Sequence, residues 1–258
     1  MKERSENITA KLPAAVALIL LVLLWWGLCA SGAVPSYMLP SPVAVVMAFV
    51  GDFKNLMYHA ATSLQEAAYG LLIGIGLAFV IATVMDRFRL LDQALSPILV
   101  ITQTIPTIAI APLLVLWMGF GMAPKITLVV ITTFFPIAVG LLEGYRSVDP
   151  DSISLMRAMG ASRLQIFYHV KFPGALPYFF SGLRISASYA IVGAVISEWL
   201  GGFEGLGVYM TRVKKAYAFD RMFAVIILIV VISLLLMALV DLIRRIAMPW
   251  QTIREQKQ

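Results

Sequence analysis

The sequence predicts an all-α, polytopic membrane protein: six transmembrane helices, with a helical hairpin between the fourth and the fifth. Three observations carry this. Apolar residues make up 60% of the 258 and charged residues 13%, and mean hydropathy is +0.89, outside the range of soluble domains. Apolar stretches recur at the roughly 20-residue length that a helix needs to cross a hydrocarbon core of about 30 Å. Polar punctuation separates them, and a backbone in lipid pairs internally only in helices or closed barrels.

The first span is "AAVALILLVLLWWGLCASGA", Ala14 to Ala33, preceded by Lys2, Arg4 and Lys11. A cleaved signal peptide is the competing reading, since small residues close the run. Its length and the pair Trp25–Trp26 favour an uncleaved helix. The second span runs from near Ser63 through "GLLIGIGLAFVIATVM" to the punctuation "DRFR", and Gly70 and Gly74 give it a small-xxx-small face for close packing. The third, from near Leu95, contains "TQTIPTIAIAPLLVLWMGFG"; Pro106 and Pro112 each remove a donor and crowd the preceding turn, so it should bend or break. The fourth covers about Lys125 to Leu142, the fifth Tyr178 to Trp199 and the sixth Met222 to Ile243.

Basic residues set the expected orientation. With the N-terminus inside, the inner segments hold Lys2, Arg4, Lys11, Arg87, Arg89, Arg146, Arg157, Arg163, Lys171, Arg184, Arg244, Arg245, Arg254 and Lys257. The outer ones hold Lys54, Lys125, Arg212, Lys214, Lys215 and Arg221. That bias places both termini in the cytoplasm, against the local exception of Arg212, Lys214 and Lys215. The net charge of +6 then belongs to loops beside anionic lipid and not to a nucleic-acid footprint. A single cysteine, Cys29, excludes an intrachain disulfide and a cysteine-based metal cluster.

On this topology "VDPDSISLMRAMGASRLQIFYHVKFP" faces the cytoplasm. Asp149 is a good N-cap, Pro150 suits the first helical position, and Asp151 meets the positive end of the helix dipole, so a helix should run to about Met159. Gly160 can close it in a left-handed conformation. Ser162 with Gln165 makes a capping box for a second helix, which should end before Pro173. Apolar Ile153, Met156 and Met159, then Leu164, Phe167 and Val170, fall at helical spacing and leave Arg157 and Arg163 to a polar partner. Three readings are open: a plain connector, a DNA-binding helix–turn–helix, and a docking knob for a cytoplasmic motor. Only Arg163 and Lys171 are basic on the second helix, too few for a phosphate footprint.

Other chemistry finds little support. No G-x-x-x-x-G-K-[ST] loop occurs, so an ATP-driven process needs another chain as motor. Glu66, Glu143, Glu198 and Asp241 fall near the expected span ends, where interfacial anchoring competes with a role in ion coupling. Gln103 and Thr104, just before the proline of span three, are the best candidates for lining a pathway, and Glu198 beside "GGFEGLG" is a candidate for an outer gate. His59 and His169 have no ligand spacing, and no metal or catalytic site is apparent.

Aligned on Gly160, the hairpin resembles the coupling-loop signature of binding-protein-dependent ABC importer permeases, written E-A-A-x3-G-x9-I-x-L-P. Gly160 and Pro173 match; Ser154, Leu155 and Met156 stand where the signature has Glu-Ala-Ala. The stretches "LPSPVAVV", "QTIPTIAIAPLLVLWMGFG" and "GLRISASYAIVGAVISEWLGGFEGLG" extend the resemblance over most of the chain, toward the branch that imports nitrate, sulfonates and taurine. "LMRAMGAS" with "FPGALPYFFSGLRIS" looks most like permeases for thiamine pyrimidine precursors or riboflavin. The resemblance implies a type I importer fold and one permease domain over residues 1–258, with a coupling loop at 143–177. It implies no enzyme activity of the chain's own, location in a bacterial inner membrane, and ATP hydrolysed by a partner ABC ATPase. An extracytoplasmic substrate-binding protein, a second copy of the chain in the pore and membrane lipid complete the set, without nucleic acid. Coupling to the ATPase then falls to Met156, Arg157, Met159, Gly160, Ala161, Ser162, Arg163, Phe167 and Pro173. An ion-gradient-driven carrier is the alternative of a different class.

Overall fold

The computed structural model describes residues 2–250; Arg254 and Lys257, counted above for orientation, lie outside them. The described residues are helical and carry no strand. By length and hydropathy, four helices are fit to cross a membrane: α3 (Phe53–Arg87), α6 (Met122–Arg146), the continuous Arg163–Gly201 segment, and α11 (Phe219–Ala247). A fifth span is broken: α4 (Arg89–Thr104) and α5 (Thr107–Met118) meet at 99°. The first expected span lies in α1 (Lys2–Ala30), within which Ala15–Ala30 is apolar. Against the expected six, the described residues hold four such spans, five with the broken pair taken as one, and the two shorter apolar helices Ala15–Ala30 and Pro42–Gly51.

The break in the third span falls where the prolines predict it. Ile105 and Pro106 are extended, because a residue before proline is pushed from the helical region. Pro112, in contrast, is accommodated inside α5. The second span starts ten residues earlier than its hydropathy suggests, at Phe53, so Glu66 sits well inside a helix and not at its end.

The chain divides into two compact units. One is built from the residues up to Tyr58 with Tyr209–Leu228. In it Ser41 caps α2 (Pro42–Gly51) through the Ala44 N–H, and the Trp25 indole donates to the Pro40 carbonyl at 3.1 Å. The Tyr209 hydroxyl, on α10 (Leu206–Lys215), donates to the Asp52 carboxylate. Burial first, and then that carboxylate, push the Tyr209 phenol above its ordinary pKa.

The other unit, His59–Val208 and the chain from Ile229 on, holds the main core and both sites considered below. Its centre is α6 against α9 (Phe172–Gly201). Glycines let the two backbones touch. A Cβ built on Gly140 would stand 2.7 Å from the Tyr178 carbonyl oxygen, and one on Gly144 2.6 Å from the Ala175 Cα. In a lipid solvent, where apolar side chains gain little by leaving the surroundings, such close approach is what holds helices together. Gly74 of the small-residue face on α3 packs likewise, its absent Cβ 2.5 Å from the Thr133 hydroxyl of α6. Around this contact lie Ala138, Leu141, Tyr145, Ala187, Ala190 and Ile191, all buried.

Replacing Gly144 with Val should lower thermal stability in detergent by about 3 kcal/mol, since backbone atoms must give way. Gly76 meets nothing within 4 Å, and Gly76→Ala should be neutral or stabilising by up to about 1 kcal/mol.

Candidate functional site

The hairpin after α6 forms as its caps dictate. Asp149 accepts from the Asp151 N–H at 3.0 Å and starts α7 (Pro150–Ala158). At its end the Gly160 N–H reaches the Arg157 carbonyl and the Ala161 N–H the Met156 carbonyl, with Gly160 at φ +81°. This double closure is a Schellman motif, and it needs a residue tolerant of positive φ. Ser162 and Gln165 then satisfy each other's backbone N–H groups, at 3.3 and 2.7 Å, and open α8 (Arg163–Ile166).

The expectation that the second helix stops before Pro173 is wrong. A π-helical turn, Phe167–Lys171, follows α8, and the Phe172 N–H bonds back to the Phe167 carbonyl. The wider turn places Pro173 in the first turn of α9, where a missing N–H leaves no helical bond unmade. The hairpin's second helix and the fifth span are thus one 39-residue helix, Arg163–Gly201.

The candidate coupling residues divide between two faces. Met156, Met159, Gly160 and Ala161 line an open groove of about 270 Å³ with Gln165 and His169. Beside it Met159 is 74% exposed and Leu164 75%, an apolar ridge of the kind that marks a contact surface. Arg157, Arg163 and Phe167 turn to the opposite flank, where they line a second cavity against the end of α3. Phe167 also packs on Tyr145 with ring centroids 5.4 Å apart, and Ser162 is occupied as a cap. Lys171 grips both Asp86 oxygens, at 2.7 and 2.8 Å, and ties the hairpin's base to α3.

The three pathway candidates do not come together. Gln103 lines a cavity of about 320 Å³ at the α4–α5 break with Thr102, Thr132, Phe135 and Tyr189. Thr104 is not part of its lining and donates to the Ile101 carbonyl instead. A helix break inside a span leaves backbone groups that need protein or a water-filled cavity beside them, and this cavity lies at that place.

Glu198 is 1% exposed and belongs to a buried polar cluster. One carboxyl oxygen accepts from the Ser63 hydroxyl at 2.6 Å, the other from the Gly207 N–H at 2.6 Å. Ser63 in turn accepts from the Leu206 N–H at 2.8 Å, and His59 Nδ1 from the Gly205 N–H at 3.0 Å. Three consecutive N–H groups at the start of α10 are thereby held by side chains of α3 and α9. Next to them Lys125 bonds Glu66 at 2.6 Å, both buried. The glycines of "GGFEGLG" make room: Gly205 has φ +117°, and any Cβ there would enter the Glu198 carboxyl.

Sequence reading singled out Glu198 but missed His59, Ser63 and Lys125 as its company. The available signal was spacing. His59, Ser63 and Glu66 stand at i, i+4 and i+7 on one face of α3, and all three are buried.

Residues 70–249 match the family of binding-protein-dependent transport system inner membrane components. A probable ABC transporter permease of Haemophilus influenzae is 39% identical over 86% of this chain and 90% of its own. The formylaminopyrimidine transport permease protein ThiX of Halalkalibacterium halodurans is 34% identical over 93% of this chain and 95% of its own. A crystal structure of an amino acid ABC transporter, at 16% identity, shares the fold with TM-score 0.64 over 77% of this chain and 97% of that one. The chain belongs to this family and is a multi-pass inner-membrane permease subunit of an ABC importer.

Lys125→Met should cost about 3–5 kcal/mol, because it strands the Glu66 charge in the interior. The double variant Glu66→Gln with Lys125→Met should recover most of the loss in unfolding measurements, since neither ion then remains.

Proposed function

We propose that this permease imports a small heteroaromatic solute, a thiamine pyrimidine precursor or a riboflavin-like compound, using ATP hydrolysed by a separate ABC ATPase subunit. The name of the 34% identical relative, which transports formylaminopyrimidine, supports that substrate class. A sulfonate, taurine or nitrate solute is the second choice, for which relatives named for aliphatic sulfonates and taurine, 30% and 29% identical, speak. The chain is one permease domain without an ATPase site of its own. Two copies form the pore, an extracytoplasmic binding protein delivers the solute, and both termini face the cytoplasm.

One observation carries the mechanism: the hairpin's second helix runs into the fifth span without a break. The residues 143–177 act as the coupling loop. Met156, Met159, Gly160 and Ala161 with the Leu164 ridge dock in the ATPase. Ser162 fixes the turn, Arg157, Arg163 and Phe167 seat it on α3, and the π turn before Pro173 passes its motion into α9. Closure of the ATPases then tilts α9, and α6 with it, as a rigid-body change of access. Solute passes Gln103 and the cavity at the broken span.

The test uses proteoliposomes holding the permease, its ATPase and its binding protein. Uptake of formylaminopyrimidine should require ATP, exceed that of taurine and ignore an imposed ion gradient. Gly160→Asp, which strains the positive φ and crowds the groove, should leave inserted, folded protein while uptake and solute-stimulated ATPase fall at least about tenfold. Unchanged coupled uptake in that variant would contradict the docking assignment, and gradient-driven uptake without ATP would favour a secondary carrier.

A further inference from the structure

The cavity between the hairpin and the end of α3 is the larger of the hairpin's two recesses, about 490 Å³, and the coupling mechanism makes no use of its volume. Its polar lining is strongly one-sided. Arg87 comes from α3, Arg157 from α7 and Arg163 from α8, while Asp86 is neutralised by Lys171 at 2.7 Å. Among the described residues none of the three arginines has a carboxylate within ion-pair distance. Three guanidinium groups around one recess repel each other unless an anion sits among them.

The remaining wall is apolar, from Ile153, Leu164, Ile166 and Phe167. Arg87 is the last residue of a span whose hydropathy reaches 2.2, so the recess opens at the level where hydrocarbon gives way to headgroups. Above it on α3, Val80 and Val84 are exposed one turn apart, an apolar strip that an acyl chain can follow. A free anion would leave the apolar wall uncovered, and a protein carboxylate would bring polar backbone against it.

We propose that this cavity binds the phosphate of an anionic lipid headgroup, which bridges α3 and the coupling hairpin and so ties coupling to membrane composition. Basic pockets between helices at a membrane surface are suited to such headgroups, and guanidinium forks match phosphate oxygens in pairs. The proposal relies on the importer reading only for placing the hairpin at a membrane surface.

The full chain, assembled with its ATPase in phosphatidylcholine nanodiscs, is titrated with phosphatidylglycerol, and lipid retention is read by native mass spectrometry alongside Tm. Phosphatidylglycerol should be retained over phosphatidylcholine and raise Tm by about 3 °C. Arg87→Gln should weaken retention about tenfold, and Arg87→Lys should restore part of it. Equal retention of both lipids, or retention untouched by Arg87→Gln, overturns the proposal. So does an equal Tm rise with inorganic phosphate, which would make the ligand a free anion, or loss of the ATPase from Arg87→Gln with lipid still held, which would make the recess a protein contact. ATP-dependent uptake by the same preparation reports separately on transport, so a failed lipid site and a failed importer reading give different results.

Discussion

The contact of α6 with α9 is the constraint on which the rest depends. Gly140 and Gly144 leave the α6 surface bare where Tyr178 and Ala175 of α9 pass, and Gly182 does the same from the other side, against the Pro136 carbonyl. The attraction is dispersion and close backbone approach, since apolar side chains are equally well solvated by lipid. Because small residues are required on both helices at matching heights, the pair has one register, and everything attached to either helix inherits it.

Two features inherit it at opposite ends. From Glu66 to Arg87 along α3 is about 30 Å at 1.5 Å per residue, and Lys125 to Arg146 on α6 is the same. At one end the buried cluster binds α3, α6, α9 and the glycine loop through charge and hydrogen bonds. At the other, Lys171 with Asp86 and Phe167 with Tyr145 bind α3 and α6 to the hairpin. Three helices joined at both ends are a stiff body, which is what the proposed coupling to an ATPase requires. The apolar middle supplies packing, and the polar ends supply specificity, since a buried ion tolerates only the arrangement that satisfies it.

Much of this was legible in the chain because local chemistry determines it. Asp149, Gly160, Ser162 and Gln165 act within a few residues of one another, so both caps and the turn between them follow from spacing. Pro106 breaks its span for the same local reason. Pro173 misled because proline forbids a helical bond only at one place, and a π turn, which no simple pattern announces, moved that place to a helix start. The polar cluster was hidden differently: Ser63, Lys125 and Glu198 are 62 and 73 residues apart in turn, and only tertiary packing makes them neighbours. Gln103 was found from its proline, whereas its partner Tyr189 across the cavity was not.

The central claim is that α9 moves as one body with the hairpin's second helix. It is tested by spin labels at Leu164→Cys on the hairpin and Leu200→Cys near the far end of α9, both exposed, in a Cys29→Ser background that removes the one native thiol. Their distance is measured by pulsed electron resonance in the assembled importer with and without ATP. The account predicts a distance constant to within about 2 Å while ATP drives uptake; a change near a helical turn, about 5 Å, would show the hairpin sliding or unwinding from α9 and would contradict it.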